Sequence, residues 1–544
     1  MSSSKISSTL LSGDVVDKES RTVYKVGRFL GKGGFARCYE LIKREGPMLT
    51  DRVAGKVISK SNLTKKNSRE KITQEIDIHK KLNHPHVVKM MTHFEDSTNL
   101  FIILELCESS SLMELQKRRK FVSEEEARYF LGQIVDGCSY LHQLNIIHRD
   151  LKLGNLFLNS RMQVKIGDFG LATIVRFVGE RRKTLCGTPN YIAPEMLKKE
   201  GHSYEPPFET QTLQDTYSRI KKNQYTIPPR VSDYAAKLIK CLLDPVPSQR
   251  PNVFSIPKAD FFRRGYHPHS LPNSCLTTQP KFDFVNKRRS LAGEHDLCGM
   301  VPDRSKFSAP LLVAATASSG MRDLYDLLSK LLESYDVNFS GFDDILEPSC
   351  RPVFWVSKWV DYSDRYGLGY QLSDESIGVL FNDGTKLVSD AAFKQLQYVD
   401  KAGQEAYHRT EQQPENLNKK YSLLRYFRSY MNENLVKAGA NITMTEGEEL
   451  QRLPVMYTWL RSRSAIMLLL NNGLLQTNFF EDHEKVIICP HLEAVTCITG
   501  KGDMYTLKIE KMMKHSYPAD LYRRLKYMRG QIQKMMEANQ ALQK

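Results

Sequence analysis

Paired cysteines are missing from this sequence of 544 residues. Its ten cysteines, at positions 38, 107, 138, 186, 241, 275, 298, 350, 489 and 497, stand singly, with no C-x-x-C among them. That spacing speaks against a zinc site or a disulfide framework and predicts reduced thiols. Long hydrophobic runs are missing too. The longest, Ala465–Leu470 and Ala309–Ala317, fall well short of the ~20 residues that span a bilayer. The opening MSSSKISSTLLSGDVVDKES has no sustained apolar segment of the kind a secretory signal needs. Together these absences predict a soluble intracellular chain. Acidic residues are outnumbered, 62 Asp plus Glu against 78 Lys plus Arg, for a formal charge of +16. A basic excess favours anionic partners. The basic residues are dispersed, so neither nucleic acid nor a membrane surface is the expected one.

What is present is ordinary globular composition, 41% apolar and 26% charged, in a chain too long for one core. Residues 1–23 read as a flexible tail and 24–263 as a dense run of strand and helix patterns. Residues 264–320, with YHPHSLPNSCLTTQP and NKRRS, read as a linker. Leu324, Leu327, Leu328, Leu331 and Leu332 then share one face of an amphipathic helix. An internal echo follows. SIGVLFNDGTKLV (376–388) lies on SAIMLLLNNGLLQTN (464–478) when Gly384 is placed on Gly473. Each copy leads from a β-forming run through Asn-Asp-Gly or Asn-Asn-Gly into another strand, which predicts a hairpin with a tight primed turn. Helical spacing follows each copy, at Leu423, Leu424, Phe427 and Tyr430, and at Leu521, Leu525, Met528, Ile532 and Met535. Two related units are expected, 321–440 with the leading helix and 451–538, each an antiparallel sheet with a helix across it.

The first half carries residues suited to phosphate chemistry. FLGKGGFARCYE (29–40) sets a glycine turn between strand-like runs, where backbone N–H groups can approach phosphates; an ordinary hairpin would use the same glycines. Lys56 in VAGK could bridge nucleotide phosphates, and Glu75 in EKITQEIDIHKKL could hold its ammonium. IIHRDLKLGNLFL (146–158) and VKIGDFG (164–170) supply two carboxylates and an amide. Asp150 can accept a hydroxyl proton, while Asn155 and Asp168 offer oxygens to Mg²⁺. A polar turn between buried strands does not account for that set.

Residues 24–262 thus resemble a eukaryotic protein kinase domain of the serine/threonine branch, with Lys152 two residues after Asp150. GKGGFARCYE, LELCESSSLMEL, HRDLKLGNLFL, GERRKTLCGTPNYIAPE and PPFETQTLQDTYSRIKKN narrow the resemblance to the polo-like kinases. The resemblance implies a multidomain α+β chain, a two-lobed kinase followed by two polo boxes. It implies ATP and Mg²⁺ as cofactors. ATP contacts would fall at Leu30, Gly31, Gly33, Gly34, Cys38, Lys56 and Glu75, and along the hinge at Leu104, Glu105 and Cys107. Asp150, Lys152 and Asn155 would be catalytic, and Thr184 would be the activation-loop phosphosite for an upstream kinase. NFFEDHEKVII (478–488) reads as a strand with His483 and Lys485 on one face. Alone that is a solvated strand, but it matches the family's phosphate pincer. Trp359 in VSKWVDYSD matches its aromatic shelf, and Leu435 in NENLVKAG a further contact. The implied partners are protein substrates and docking proteins bearing Ser-phosphoSer or Ser-phosphoThr, with no nucleic acid or membrane. The implied locations are nucleus and cytoplasm, centrosome, kinetochore and spindle.

One segment departs from the family. GHSYE (201–205) joins PPFET (206–210) directly, where the family inserts an apolar helix bearing D-x-W-x-x-G. About 17 residues are absent, nearly five turns at 3.6 residues per turn. The only tryptophans, Trp355, Trp359 and Trp459, all lie in the second half. In the family that helix is the buried axis of the larger lobe. Each lost Leu-sized contact would cost ~2–5 kcal/mol. The alternative expectation is therefore a chain of weak or no kinase activity that serves as a phosphopeptide-binding adaptor.

Overall fold

The computed structural model describes residues 11, 13–33, 36–45, 48–63, 66–175, 213–282, 310–339, 341–434 and 451–542. The chain forms two compact units, one on Leu11–Gln116 and Lys120–Asn273, the other on Ser274 onward with Lys117–Arg119.

The first unit opens with an antiparallel sheet of order β1-β2-β3-β4-β6-β5. Its strands are β1 (Asp14–Asp17), β2 (Thr22–Gly33), β3 (Ala36–Glu45), β4 (Met48–Ser59), β5 (Met90–Glu95) and β6 (Asn99–Glu105). Strand β1 corrects the flexible tail expected over 1–23: Asp14–Asp17 pair with Thr22–Lys25 as an edge strand. Helix α1 (Lys66–His79) packs Ile76 against Ile58, Met90 and Ile102 of the sheet. Helices α2 (Leu112–Arg119) and α3 (Glu124–Gln143) each begin at a serine. At α3 the Ser123 hydroxyl accepts from the Glu126 N–H and the Glu126 carboxylate accepts from the Ser123 N–H, a capping box legible as S-x-x-E. Short strands β7 (Ile146–Ile147), β8 (Leu156–Leu158), β9 (Val164–Ile166) and β10 (Thr173–Ile174) carry the loops between them. Helices α4 (Leu213–Lys222) and α5 (Asp233–Leu242) complete the described part.

The second unit holds two six-stranded antiparallel meanders. One runs β11 (Val356–Tyr362), β12 (Gly367–Leu372), β13 (Ile377–Phe381), β14 (Lys386–Ser389), β15 (Gln395–Val399) and β16 (Glu405–Arg409). The other runs β17 (Met456–Arg461), β18 (Ala465–Leu470), β19 (Leu475–Phe479), β20 (Lys485–Cys489), β21 (Ala494–Ile498) and β22 (Met504–Lys508). Helix α6 (Pro310–Glu333) precedes both and starts inside the stretch expected to be linker. Helix α7 (Asn418–Asn434) crosses the first sheet, burying Leu424, Phe427 and Met431 against Val379, Leu387 and Leu396; the expected stripe is shifted by one position from Leu423 and Tyr430. Helix α8 (Ala519–Leu542) crosses the second, burying Leu521, Leu525, Met528 and Ile532, with Leu324, Leu328 and Leu331 of α6 in the same core. The remaining faces of the two sheets share a third core, with Trp355, Tyr370 and Leu372 from one and Met456, Leu468 and Ile487 from the other.

The repeat extends to detail. Both sheets carry a bulge in the first strand, at Val356/Lys358 and Met456/Thr458. Both expected hairpins exist, but Gly384 joins the third and fourth strands of its sheet and Gly473 the second and third, so the sequence echo is offset by one strand from the structural repeat, and neither turn is the primed type. Gly384 (φ +83°) and Gly473 (φ +80°) take the left-handed conformation, whereas Asn382, Asp383, Asn471 and Asn472 do not. The Gly384 N–H bonds Phe381 O at 2.9 Å and the Phe381 N–H bonds Thr385 O at 3.0 Å, the pattern of a three-residue loop closed by a glycine bulge.

Phe427 is fully buried between α7 and β12, with its ring where a Cβ on Gly369 would stand. Phe427→Ala should cost the second unit about 3–5 kcal/mol. Urea unfolding followed by tryptophan fluorescence measures this, because all three tryptophans lie in that unit; an unchanged midpoint would contradict the packing.

Candidate functional site

The residues expected to meet nucleotide lie on β2–β4, α1 and the Asp168 loop. Lys56 on β4 reaches Glu75 of α1 at 2.6 Å and Asp168 at 3.3 Å. Burial pulls the Lys56 ammonium down, but Glu75 and Asp168 more than compensate and hold it above the usual lysine value. Burial likewise opposes ionisation of Asp168, and Lys56 outweighs it, so the carboxyl sits below its usual range. In the glycine turn, a Cβ on Gly31 or Gly33 would meet no atom of the described residues within 4 Å. Leu30 and Cys38 lie on β2 and β3 beside that turn. Burial pushes the Cys38 thiol up, and the Cys107 thiol to about 12, so both act as apolar surface. Leu104 packs against the α1–sheet core. Glu105 receives Lys165 of β9 at 2.6 Å, a link from the hinge to the strand that leads into Asp168.

The loop after β7 is cross-braced. Asp150 Oδ2 accepts from Lys152 Nζ at 2.8 Å and from Asn155 Nδ2 at 3.0 Å, and Asn155 Nδ2 also donates to Asp150 O at 2.7 Å. The Gly167 N–H bonds Asn155 O at 2.9 Å, and His148 Nε2 meets Gly167 O at 3.0 Å, so the two loops are held as one piece. Arg149 and Asp168 both adopt left-handed backbone, φ +67° and +61°. Phe169, buried, lies between His79 and His148, with ring centroids at 4.7 and 5.0 Å. Burial holds both imidazoles neutral, His79 at about 4. This carboxylate, amide and lysine set fits ATP with Mg²⁺: Lys56 and the glycine turn for phosphates, Asn155 and Asp168 for the ion.

The second site lies between the two sheets of the second unit. Gln476 of β19 forms two hydrogen bonds with Val356 of β11, each 2.8 Å, and the Met456 N–H donates to the Tyr370 hydroxyl at 3.0 Å. That seam brings Lys485, the first residue of β20, to Ser357 O at 3.2 Å. Trp359, two residues on, is half-buried, 6.1 Å from the Phe480 ring and 5.7 Å from the Arg461 guanidinium. Lys485 is 8% exposed and has that single carbonyl, so burial pushes its ammonium down to about 8. His483 corrects the strand reading. Residues 480–484 form the turn between β19 and β20, with His483 at φ +60°, so it does not share a strand face with Lys485. Gly34, Thr184, Leu435 and the Glu205–Pro206 junction lie outside the described residues. Sequence reasoning missed the Glu105–Lys165 pair and the Phe169 stack, because nothing in the local pattern ties residues so far apart.

A glycine turn and a lysine paired to a helix glutamate, with two braced loops that end in Asp150 and Asp168, define a protein kinase. The comparisons with known proteins agree. The protein kinase domain model matches residues 24–209, and the model of the duplicated polo-box region matches 364–421 and 462–525. The "Serine/threonine-protein kinase plk-1" of Caenorhabditis elegans is 46% identical over 571 residues, covering 96% of this chain and 88% of the relative. The "Serine/threonine-protein kinase PLK1" of Xenopus laevis is 44% identical, covering 97% and 93%, and "polo" of Drosophila melanogaster 43%, covering 97% and 98%. The chain belongs to the polo-like kinase family and is by family a serine/threonine protein kinase with two polo boxes. Among the described residues no helix is long and apolar enough to cross a membrane.

The Lys485 ammonium carries charge only below its lowered value. Affinity for an anionic peptide should therefore fall as pH rises through about 8, and Lys485→Arg should hold its affinity to higher pH. Fluorescence polarisation across that window checks it; a flat wild-type profile contradicts a titrating clamp.

Proposed function

We propose that this chain transfers the γ-phosphate of ATP to serine and threonine hydroxyls of proteins acting in cell division. Its polo boxes deliver it to partners already phosphorylated in Ser-phosphoSer or Ser-phosphoThr motifs. The observation that carries the reading is Lys56 held between Glu75 and Asp168 at 2.6 and 3.3 Å. Lys56 would hold phosphate oxygens, with Leu30, Gly31, Gly33, Gly34 and Cys38 forming the roof and Leu104, Glu105 and Cys107 the adenine edge. Asn155 and Asp168 would hold Mg²⁺, which when bound would neutralise triphosphate charge. Asp150, braced by Lys152 and Asn155, orients the substrate hydroxyl and takes its proton. Positioning and electrostatics do nearly all the work in such a transfer. In the second unit Trp359 and Leu435 would receive the peptide, and His483 and Lys485 its phosphate through charge-assisted hydrogen bonds. An upstream kinase would act at Thr184. The nucleus, cytoplasm, centrosome, kinetochore and spindle are the sites this function calls for.

A second reading, a phosphopeptide-binding adaptor without turnover, draws on one specific observation. GHSYE runs directly into PPFET, and the kinase-domain match ends four residues past that junction, at 209. Both readings keep the clamp; they differ only in catalysis.

Phosphate transfer from radiolabelled ATP to a serine-containing protein, using chain of verified mass, separates them. Asp150→Asn should lower turnover by roughly 10²–10⁴-fold. Wild type and Asp150→Asn equally inactive, with phosphopeptide binding intact, would select the adaptor.

A further inference from the structure

The clamp loop contains a conflict. His483 is flanked by Asp482 and Glu484, two carboxylates beside the place proposed for a phosphate dianion. Like charges so close would repel the ligand. Arg524 of α8 answers both. Its Nη2 meets Asp482 Oδ2 in a short contact and Glu484 Oε2 at 3.2 Å, and its Nη1 lies 3.5 Å from Asp482 Oδ1. Its Nε reaches Asp520, one turn earlier on the helix, at 3.0 Å, and the guanidinium covers the Phe479 ring at 4.6 Å. The Arg524 side chain is 13% exposed, so this is a supported arrangement rather than a loose surface pair.

We infer that Arg524 is a positioning residue for phosphopeptide binding, which offsets part of the Asp482 and Glu484 charge and fixes the turn that presents His483. The inference rests on the clamp reading above and adds to it a residue on a different element. Three further observations agree. A Cβ on Gly500 would stand 2.5 Å from Asp482 O, so the turn is seated closely on the β21–β22 connection as well. Burial opposes ionisation of Asp482, yet Arg524 and the Glu484 N–H hold its carboxyl below the usual range. Burial pushes the Glu484 carboxyl up against the pull of Arg524, with Asp482 and Asp520 adding to the rise, so the acidic cluster has no cation to spare. The charged groups on and around the turn are Glu481, these three acids, Arg524 and Lys485, with Lys501 and Asp503 on the connection beside it.

The test is fluorescence polarisation of a labelled Ser-phosphoThr peptide on the full chain, comparing Arg524→Met, Arg524→Lys and Arg524→Met combined with Asp482→Asn and Glu484→Gln. Arg524→Met should weaken binding about tenfold or more, the scale of one uncompensated charge near a bound anion. Arg524→Lys should recover much of the loss. The triple variant should bind close to wild type, an outcome that mere loss of packing cannot give. Tryptophan-monitored unfolding checks that each variant is folded. Wild-type affinity in Arg524→Met, or a triple variant as weak as Arg524→Met, overturns the inference and leaves the clamp standing. A wild-type chain that binds no better than His483→Ala removes the clamp reading itself, and this inference with it.

Discussion

A lysine taken out of water needs an anion, and the two halves of this chain meet that demand in opposite ways. Transfer of an uncompensated charge into a protein interior is costly, so such a group is paired or loses its proton. Lys56 has two carboxylates, Glu75 and Asp168, and stays charged. Lys485 has one neutral carbonyl, Ser357 O, and sits at about 8. The first arrangement is complete before any ligand arrives and fixes geometry between α1, β4 and the Asp168 loop. The second is under-satisfied, and an arriving phosphate would restore the missing charge. One is built to hold a position, the other to reward a partner.

The under-satisfied lysine exists only because two copies of one sheet have diverged. Both boxes carry a tryptophan after the first-strand bulge, Trp359 and Trp459, and both place a left-handed residue before the fourth strand, Gly384 at φ +83° and His483 at φ +60°. Both fourth strands begin with a lysine, Lys386 on β14 and Lys485 on β20, yet only Lys485 is buried. The seam built from Gln476, Val356, Tyr370 and Met456 then sets Lys485 and the β19–β20 turn of one copy beside the tryptophan of the other. Neither sheet alone holds both parts.

Much of the kinase half was legible because its chemistry is local. Asp150, Lys152 and Asn155 fall within six residues, and a braced loop needs little from elsewhere. Glycine turns, serine caps and the amphipathic stripes of α6 and α8 are local for the same reason. The misses have a common cause. Asn-Asp-Gly was read as a primed turn because Asn tolerates positive φ, but the strand register placed only the glycine there. His483 was read into a strand because alternation continues through Asp482–Lys485, whereas β19 ends at Phe479 and the chain turns before β20. Strand β1 was hidden in a polar segment whose partner is the edge of a sheet.

Sequence alone determined the family, the order of the units and the helices that cover each sheet, since each is written in short-range spacing. Tertiary structure alone decided which distant groups meet: Glu105 with Lys165, Phe169 with its two histidines, Lys485 with Ser357, Arg524 with the acids around His483. Electrostatic pairing depends on separation in space and on burial, and a linear pattern records neither.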